Sequence, residues 1–310
     1  MKRIEELQKV KGDAYDYYVS PNQDNDLFEK IFLVGDIVEE IEDLDKFFLI
    51  GEKGSGKTAY AVYMSKIENG NSSCKLALVE NTLYQRFLHM KEQKSLELSS
   101  IKDIWINLLY LMLAEHIQEN KDAKSIWEQL KYKQLINAIN AFYSDSFKPE
   151  LVNAMEFLDK ASVSINAMVE QGLFSNDFGI TKEKSKKYVE QSYQVSLMKI
   201  RNGFEQAFEK ISLDKEMILF IDGIDGRPAD IDSKQYFECL TGLVNAVIEI
   251  NQSVLCKKNM KVMLLMRPDI MYKMPIHNLN DKLRENSVLL DKHQDFKNML
   301  GNYSDYLKGE

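Results

Sequence analysis

The chain has 310 residues, 45% of them hydrophobic and 28% charged, with a formal net charge of −8. That length suits one large α/β domain or two modest ones around a real core. The acidic balance argues against a surface built mainly for nucleic-acid backbones. The opening "MKRIEEL" turns acidic at once and lacks the apolar core of a signal peptide. The longest apolar stretch, "IWINLLYLMLA" at Ile104 to Ala114, is too short to span a bilayer and contains Asn107. Cys74, Cys239 and Cys256 form no CxxC pair and have no histidine at zinc spacing. They read as buried thiols of a cytoplasmic protein with no membrane partner.

In chain order, Tyr15, Tyr17 and Tyr18 come first. They are candidates for stacking on an adenine ring, with ordinary packing as the plainer reading. The first expected strand is "FFLIG" at 47–51, followed by "CKLALVE" at 74–80, "MILFID" at 217–222, "KVMLLM" at 261–266 and a weaker "SVLLD" at 287–291. Runs of this length without alternation suit a parallel sheet covered on both faces. With helical patterns between them, they predict a doubly wound α/β core. Only five prolines and fourteen glycines occur, so long helices are expected.

Between the second and third strands the pattern turns helical. Ile101, Trp105, Leu108 and Met112 form one stripe, preceded by Ser99 or Ser100 as a cap. Val189, Tyr193, Leu197, Ile200, Phe204, Ala207 and Ile211 form another. Residues 81–215 therefore read as a large helical insertion, with 1–80 and 216–310 forming the core. "TKEKSKK" at Thr181 to Lys187 is the most basic stretch. It is read as a solvated helix start; nucleic acid is a possible but unsupported partner. His89, His116, His277 and His293 share no ligand spacing and read as surface or packing residues.

The chemistry concentrates after the first strand. "GEKGSGKT", Gly51 to Thr58, fits G-x-x-x-x-G-K-[ST] between a strand and a helix. Gly51, Gly54 and Gly56 let the backbone turn and approach a ligand closely. Successive N–H groups and the helix start form an anion nest. Candidate nucleotide contacts are Gly51, Lys53, Gly54, Ser55, Gly56, Lys57, Thr58 and Ala59, with the Lys53 charge read as solvated rather than as a second phosphate ligand. Lys57 suits the terminal phosphates and Thr58 a Mg²⁺ ion.

Asp222 ends the third strand, where open α/β sheets bind ligands. There it can serve the same Mg²⁺ site as Thr58. The residue after it is Gly223, where many ATPases of this type carry a glutamate. Asp225 is the nearest carboxylate and the candidate base; the alternative is a turn aspartate. Arg267 closes the fourth strand before Pro268. It is a candidate sensor of the γ-phosphate, or else the ion-pair partner of Asp269. Arg227 and Arg284 are weaker candidates for neutralising transition-state charge, with a structural role as the plainer reading of each. A Ras-like GTPase would need glycine where Asp225 stands, and "NKD" at 120–122 lies at the wrong spacing. A small-molecule kinase is disfavoured by the long insertion and the strand-end Arg267.

Taken together, "LIGEKGSGKTA", "FIDGIDGRP", "ECLTGLVNAVIEIN", "VMLLMRPDI" and "LRENSVLLD" resemble a bacterial family of P-loop ATPases near the STAND, KAP and AAA+ groups. The resemblance covers about 30–80 and 216–291. It implies ATP as nucleotide, a five-stranded sheet of order 5-1-4-3-2, and Walker A at Lys57 and Thr58. It further implies Walker B at Asp222 and Asp225, and a sensor role for Arg267. Relatives in that neighbourhood often act as oligomeric, nucleotide-gated switches in phage defence or signalling. Such relatives usually continue past the last strand with a tryptophan and further helices, where this chain has "KHQDFKNMLGNYSDYLKGE". A second-sensor lid is therefore expected to be missing.

The resulting expectation is a slow Mg²⁺-dependent ATPase. It would couple nucleotide state to its helical module, to further copies of itself or to a partner effector protein. The rival expectation is a nucleotide-binding regulatory or scaffold subunit with little hydrolysis.

Overall fold

A computed structural model describes residues 10–20, 28–29, 32, 35, 37–66, 72–79, 98–120, 126–142, 197–227, 233–274, 283 and 285–290. The chain forms two compact units. One comprises Met1–Asn81, Leu213–Arg227 and Val247–Glu310; the other comprises Thr82–Ser212 and Pro228–Ala246.

The first unit is built on five parallel strands: β1 (Phe48–Gly51), β2 (Ser72–Leu78), β3 (Glu216–Asp222), β4 (Met260–Met266) and β5 (Ser287–Leu290). Their order is β2-β3-β4-β1-β5, the order that the family resemblance implies, read from the other edge. Every expected strand is present, with ends moved by one or two residues. All seven β4 residues are buried, as a central strand covered on both faces requires.

The registers Ile50↔Met266, Ile221↔Leu264 and Leu78↔Asp222 bring the C-terminal ends of β1, β4, β3 and β2 to one edge of the sheet. The connection from β1 leads towards β2, and that from β4 passes β1 to reach β5. Chain paths that part in this way leave a crevice outside the strand ends.

Three helical segments of this unit matter. Helix α1 (Ala14–Tyr18) is capped by Asp13, whose side chain accepts from the Tyr15 N–H at 2.9 Å. Tyr17 is buried against Phe28, ring centroids 4.9 Å apart, and the Tyr18 hydroxyl accepts from the Leu76 N–H. Tyr17 and Tyr18 are thus engaged in packing. Helix α2 (Ile37–Glu42) buries Ile41. Helix α3 (Lys57–Lys66) buries Tyr60, Ala61, Val62, Tyr63 and Met64 in the core that contains Leu49, Ile218, Phe220, Met263 and Leu265.

The second unit contains α4 (Leu98–Glu119), α5 (Ile126–Ala141) and a helix over 197–210, α6. Ile101, Trp105 and Leu108 are buried and Met112 half-buried. The helix begins at Leu98, so Ser99 and Ser100 lie inside its first turn rather than before it. Leu197, Ile200, Phe204, Ala207 and Ile211 are all buried, as their spacing requires. Val189, Tyr193 and the basic stretch Thr181 to Lys187 lie outside the described residues. His116 is buried.

Helix α7 (Ser233–Ser253) contributes to both units. Within it and just beyond, Tyr236–Lys257 is long and apolar enough to cross a membrane. Its Leu240, Leu243, Val244, Val247 and Ile250 are buried in protein, the ordinary state of a core helix. Near its end, Asn251 donates to the Val262 carbonyl at 2.9 Å and accepts from the Val262 N–H at 3.0 Å. The helix end is thereby fixed to β4. Of the three thiols, only Cys239 is buried. Cys74 is half-buried and Cys256 is exposed, in the short 3-10 turn Leu255–Lys257. The expectation of three buried thiols is corrected accordingly.

Candidate functional site

At the end of β1 the chain enters a loop that closes with the start of α3. Gly54 and Gly56 have φ of 77° and 99°, values that a side chain would oppose. The Tyr60 N–H bonds the Gly56 carbonyl at 2.9 Å. The N–H groups of Lys57, Thr58 and Ala59 therefore have no carbonyl one turn back within the helix. Ser55 is buried, and its Oγ has no hydrogen-bond partner among the described residues.

Lys57 is buried. Its Nζ donates to the Gly51 carbonyl at 2.8 Å and to the Glu52 carbonyl at 3.0 Å. Burial lowers its pKa, while Asp225 and Asp222 pull the other way. Lys57 is thus held by two backbone acceptors beside two carboxylates. Lys53 is exposed, as a solvated charge should be.

Asp222 joins this loop across 164 residues of sequence. The Thr58 Oγ1 donates to Asp222 Oδ2 at 2.5 Å. Its other oxygen, Oδ1, accepts from the Gly223 N–H at 2.7 Å. Gly223 has φ of 81°. A glutamate there would be strained, which gives a backbone reason for a carboxylate further on.

That carboxylate, Asp225, is half-buried, and its Oδ1 has no hydrogen-bond partner among the described residues. Burial pushes its pKa up to about 6, the Lys57 charge opposing and Asp222 reinforcing the shift. A carboxylate so tuned accepts a proton more readily than an ordinary aspartate at neutral pH.

Arg267 follows β4, one residue past the Ile50↔Met266 pair. Its Nε donates to Asp269 Oδ1 at 2.9 Å and its Nη2 to Asp269 Oδ2 at 2.8 Å. Its charge also acts on Lys57 and Asp225. Arg227 is exposed, and Arg284 lies outside the described residues.

The structure therefore brings Lys57, Thr58, Asp222 and Asp225 together and ties Arg267 to its own neighbour, Asp269. The sequence reading missed a second buried cation, Lys261 at the start of β4. Its signal was available: a lysine inside a run that must be covered on both faces has no route to water. Among the described residues no cluster of three or more His, Cys, Asp or Glu side chains could hold a metal ion. A cleft of about 280 Å³ lies in the second unit between α5 and α6, lined in part by Gln134, Asn137, Lys199 and Gly203.

In comparisons with known proteins, no family model, no curated protein and no solved structure matches the chain.

Proposed function

We propose that the chain is a P-loop switch protein that binds ATP with Mg²⁺ and hydrolyses it slowly. The observation that carries this reading is the 2.5 Å bond from Thr58 to Asp222 beside the buried Lys57. It joins a glycine loop, a helix start and an acidic strand end in one place.

The donor chemistry fits the ion. A hydroxyl and a carboxylate are hard oxygen ligands, and Mg²⁺ takes few protein ligands because it keeps several waters. Thr58 Oγ1 and Asp222 Oδ2 would hold it, by ligation or through its waters; when bound, the ion would offset charge on the phosphates. The amides that follow Gly54 and Gly56 would receive phosphate oxygens. Lys57 would exchange its two carbonyl acceptors for phosphate oxygens, a charge-assisted gain. Asp225 Oδ1 would take the proton of an attacking water. Residues 81–215 would act as a helical insertion that senses nucleotide state, in the cytoplasm, as part of an oligomer or with a partner effector protein. A role in phage defence or signalling rests on the family resemblance alone.

Phosphate release from ATP, measured beside nucleotide affinity, tests this reading. Asp225→Asn should keep its affinity and lose turnover by about 100-fold. Wild-type turnover in that variant removes Asp225 from the reaction. The second reading, a regulatory subunit with little hydrolysis, is favoured by Gly223 and its φ of 81°. It predicts ATP bound but uncleaved by the unaltered protein.

A further inference from the structure

We infer that Asp269 is a positioning residue that keeps Arg267 parked away from the nucleotide, so that the two compete for one guanidinium. This inference rests on the nucleotide-site reading above. The pair is bidentate, at 2.9 and 2.8 Å, between residues two apart. Its side chains keep 28% and 51% of their exposure. A bidentate fork fixes direction well, but solvent makes so exposed a pair weak. It is therefore strong enough to orient Arg267 in the free protein and weak enough to yield to a more highly charged acceptor.

The backbone supplies the place. Arg267 adopts an extended conformation, φ −96° and ψ 141°, immediately before the single turn Pro268–Met271. Pro268 fixes the chain direction at that corner, and Asp269 stands in the first turn. Both members of the pair act electrostatically on Lys57 and on Asp225, so both lie within reach of the site's field. A terminal phosphate at Lys57 presents several anionic oxygens to the same guanidinium that one carboxylate now holds. Release of Arg267 by Asp269 would then depend on the terminal phosphate, and Asp269 would set how sharply the protein separates ATP from ADP.

The test is a double-mutant cycle read by binding, using a non-hydrolysable ATP analogue and ADP, each with Mg²⁺. Asp269→Asn keeps the shape and removes the competing charge. It should tighten the triphosphate analogue about three- to tenfold while moving ADP affinity less than twofold. In an Arg267→Ala background the same change should move both ligands equally and less than twofold. Equal tightening of both ligands, or tightening that persists without Arg267, would mean that Asp269 acts only as a general negative charge, and the inference is overturned. It is also overturned if the unaltered protein binds the analogue and Asp269→Asn leaves it unchanged. If the unaltered protein binds neither ligand, the nucleotide-site reading itself falls, and this inference with it.

Discussion

Two buried lysines, at opposite ends of adjacent parallel strands, show what burial alone does and does not mean. Lys57 follows the C-terminal end of β1, and Lys261 stands near the N-terminal start of β4. Both donate to backbone carbonyls, and burial lowers the pKa of both. Their partners differ. Lys261 donates to the carbonyls of Ile41 and Asp43, where α2 ends. The Ile41 carbonyl lies in the last turn of the helix, at its negative end, while that of Asp43 also accepts from the Lys46 N–H at 2.9 Å. Nearby, the Ser72 hydroxyl donates to Glu42 at 2.8 Å. Lys261 thus donates to the last-turn carbonyl of the buried Ile41 and adds a second donor to that of Asp43. Lys57 donates to two loop carbonyls, one of them on the exposed Glu52, and it sits beside Asp225, whose Oδ1 has no hydrogen-bond partner among the described residues. The first lysine closes a structure, whereas the second is held next to unmet charge, the usual condition of a site that receives a ligand.

The largest effect expected from this contrast is on folding. Lys261→Ala should lower unfolding free energy by about 3 kcal/mol, through a cavity and the loss of the donor to the Ile41 carbonyl. Lys57→Ala should change it by less than about 1 kcal/mol. Urea denaturation measures both, and similar losses at the two positions would break the distinction.

Next in size is a pH effect. The folded pKa of Lys261 is pulled down to about 8, below its value in an unfolded chain. Between those two values the unfolded state binds more protons, so stability rises with pH there. Below about pH 8 the full burial penalty applies; above it the penalty fades. The gap in stability between the unaltered protein and Lys261→Met should therefore shift by about 2 kcal/mol in favour of the unaltered protein from pH 7.5 to 10. A pH-independent gap would mean that Lys261 does not titrate in this range.

Asp225 should give a smaller effect of the opposite sense. Its folded pKa is raised to about 6, so the folded state favours the protonated acid. That contribution is complete below the unfolded value, near 4, and is lost as pH rises through 6. Asp225→Asn should accordingly stabilise the fold on the order of 1 kcal/mol at pH 8, allowing for partial exposure, and much less at pH 4. Thermal melts at the two pH values check this. Equal shifts at both would detach the gain from the carboxylate's charge.

The sheet was legible because unbroken runs such as "MILFI" and "VMLLM" have one economical fate, a strand covered on both faces. The loop glycines and the strand-end Asp222 were legible for a similar reason: each marks a place where the chain does something a core does not need. What escaped the sequence was pairing. Nothing in "KVMLLM" says that its lysine reaches two carbonyls more than 200 residues earlier. Nor does "RPDI" decide whether Arg267 faces a ligand or its neighbour Asp269, because both readings use the same residues. The expected caps at Ser99 and Ser100 failed because serine serves inside a first turn as well as before it, and the helix begins at Leu98.

The central claim is that Lys57, Thr58 and Asp222 form a triphosphate site. Calorimetric titration of the purified protein with a non-hydrolysable ATP analogue, with Mg²⁺ and then with a chelator, tests it most directly when Lys57→Ala is run alongside. The account predicts Mg²⁺-dependent binding that weakens at least about 100-fold, or about 2.7 kcal/mol, in the variant. Absence of heat with the unaltered protein, or equal affinity in the folded variant, would contradict it.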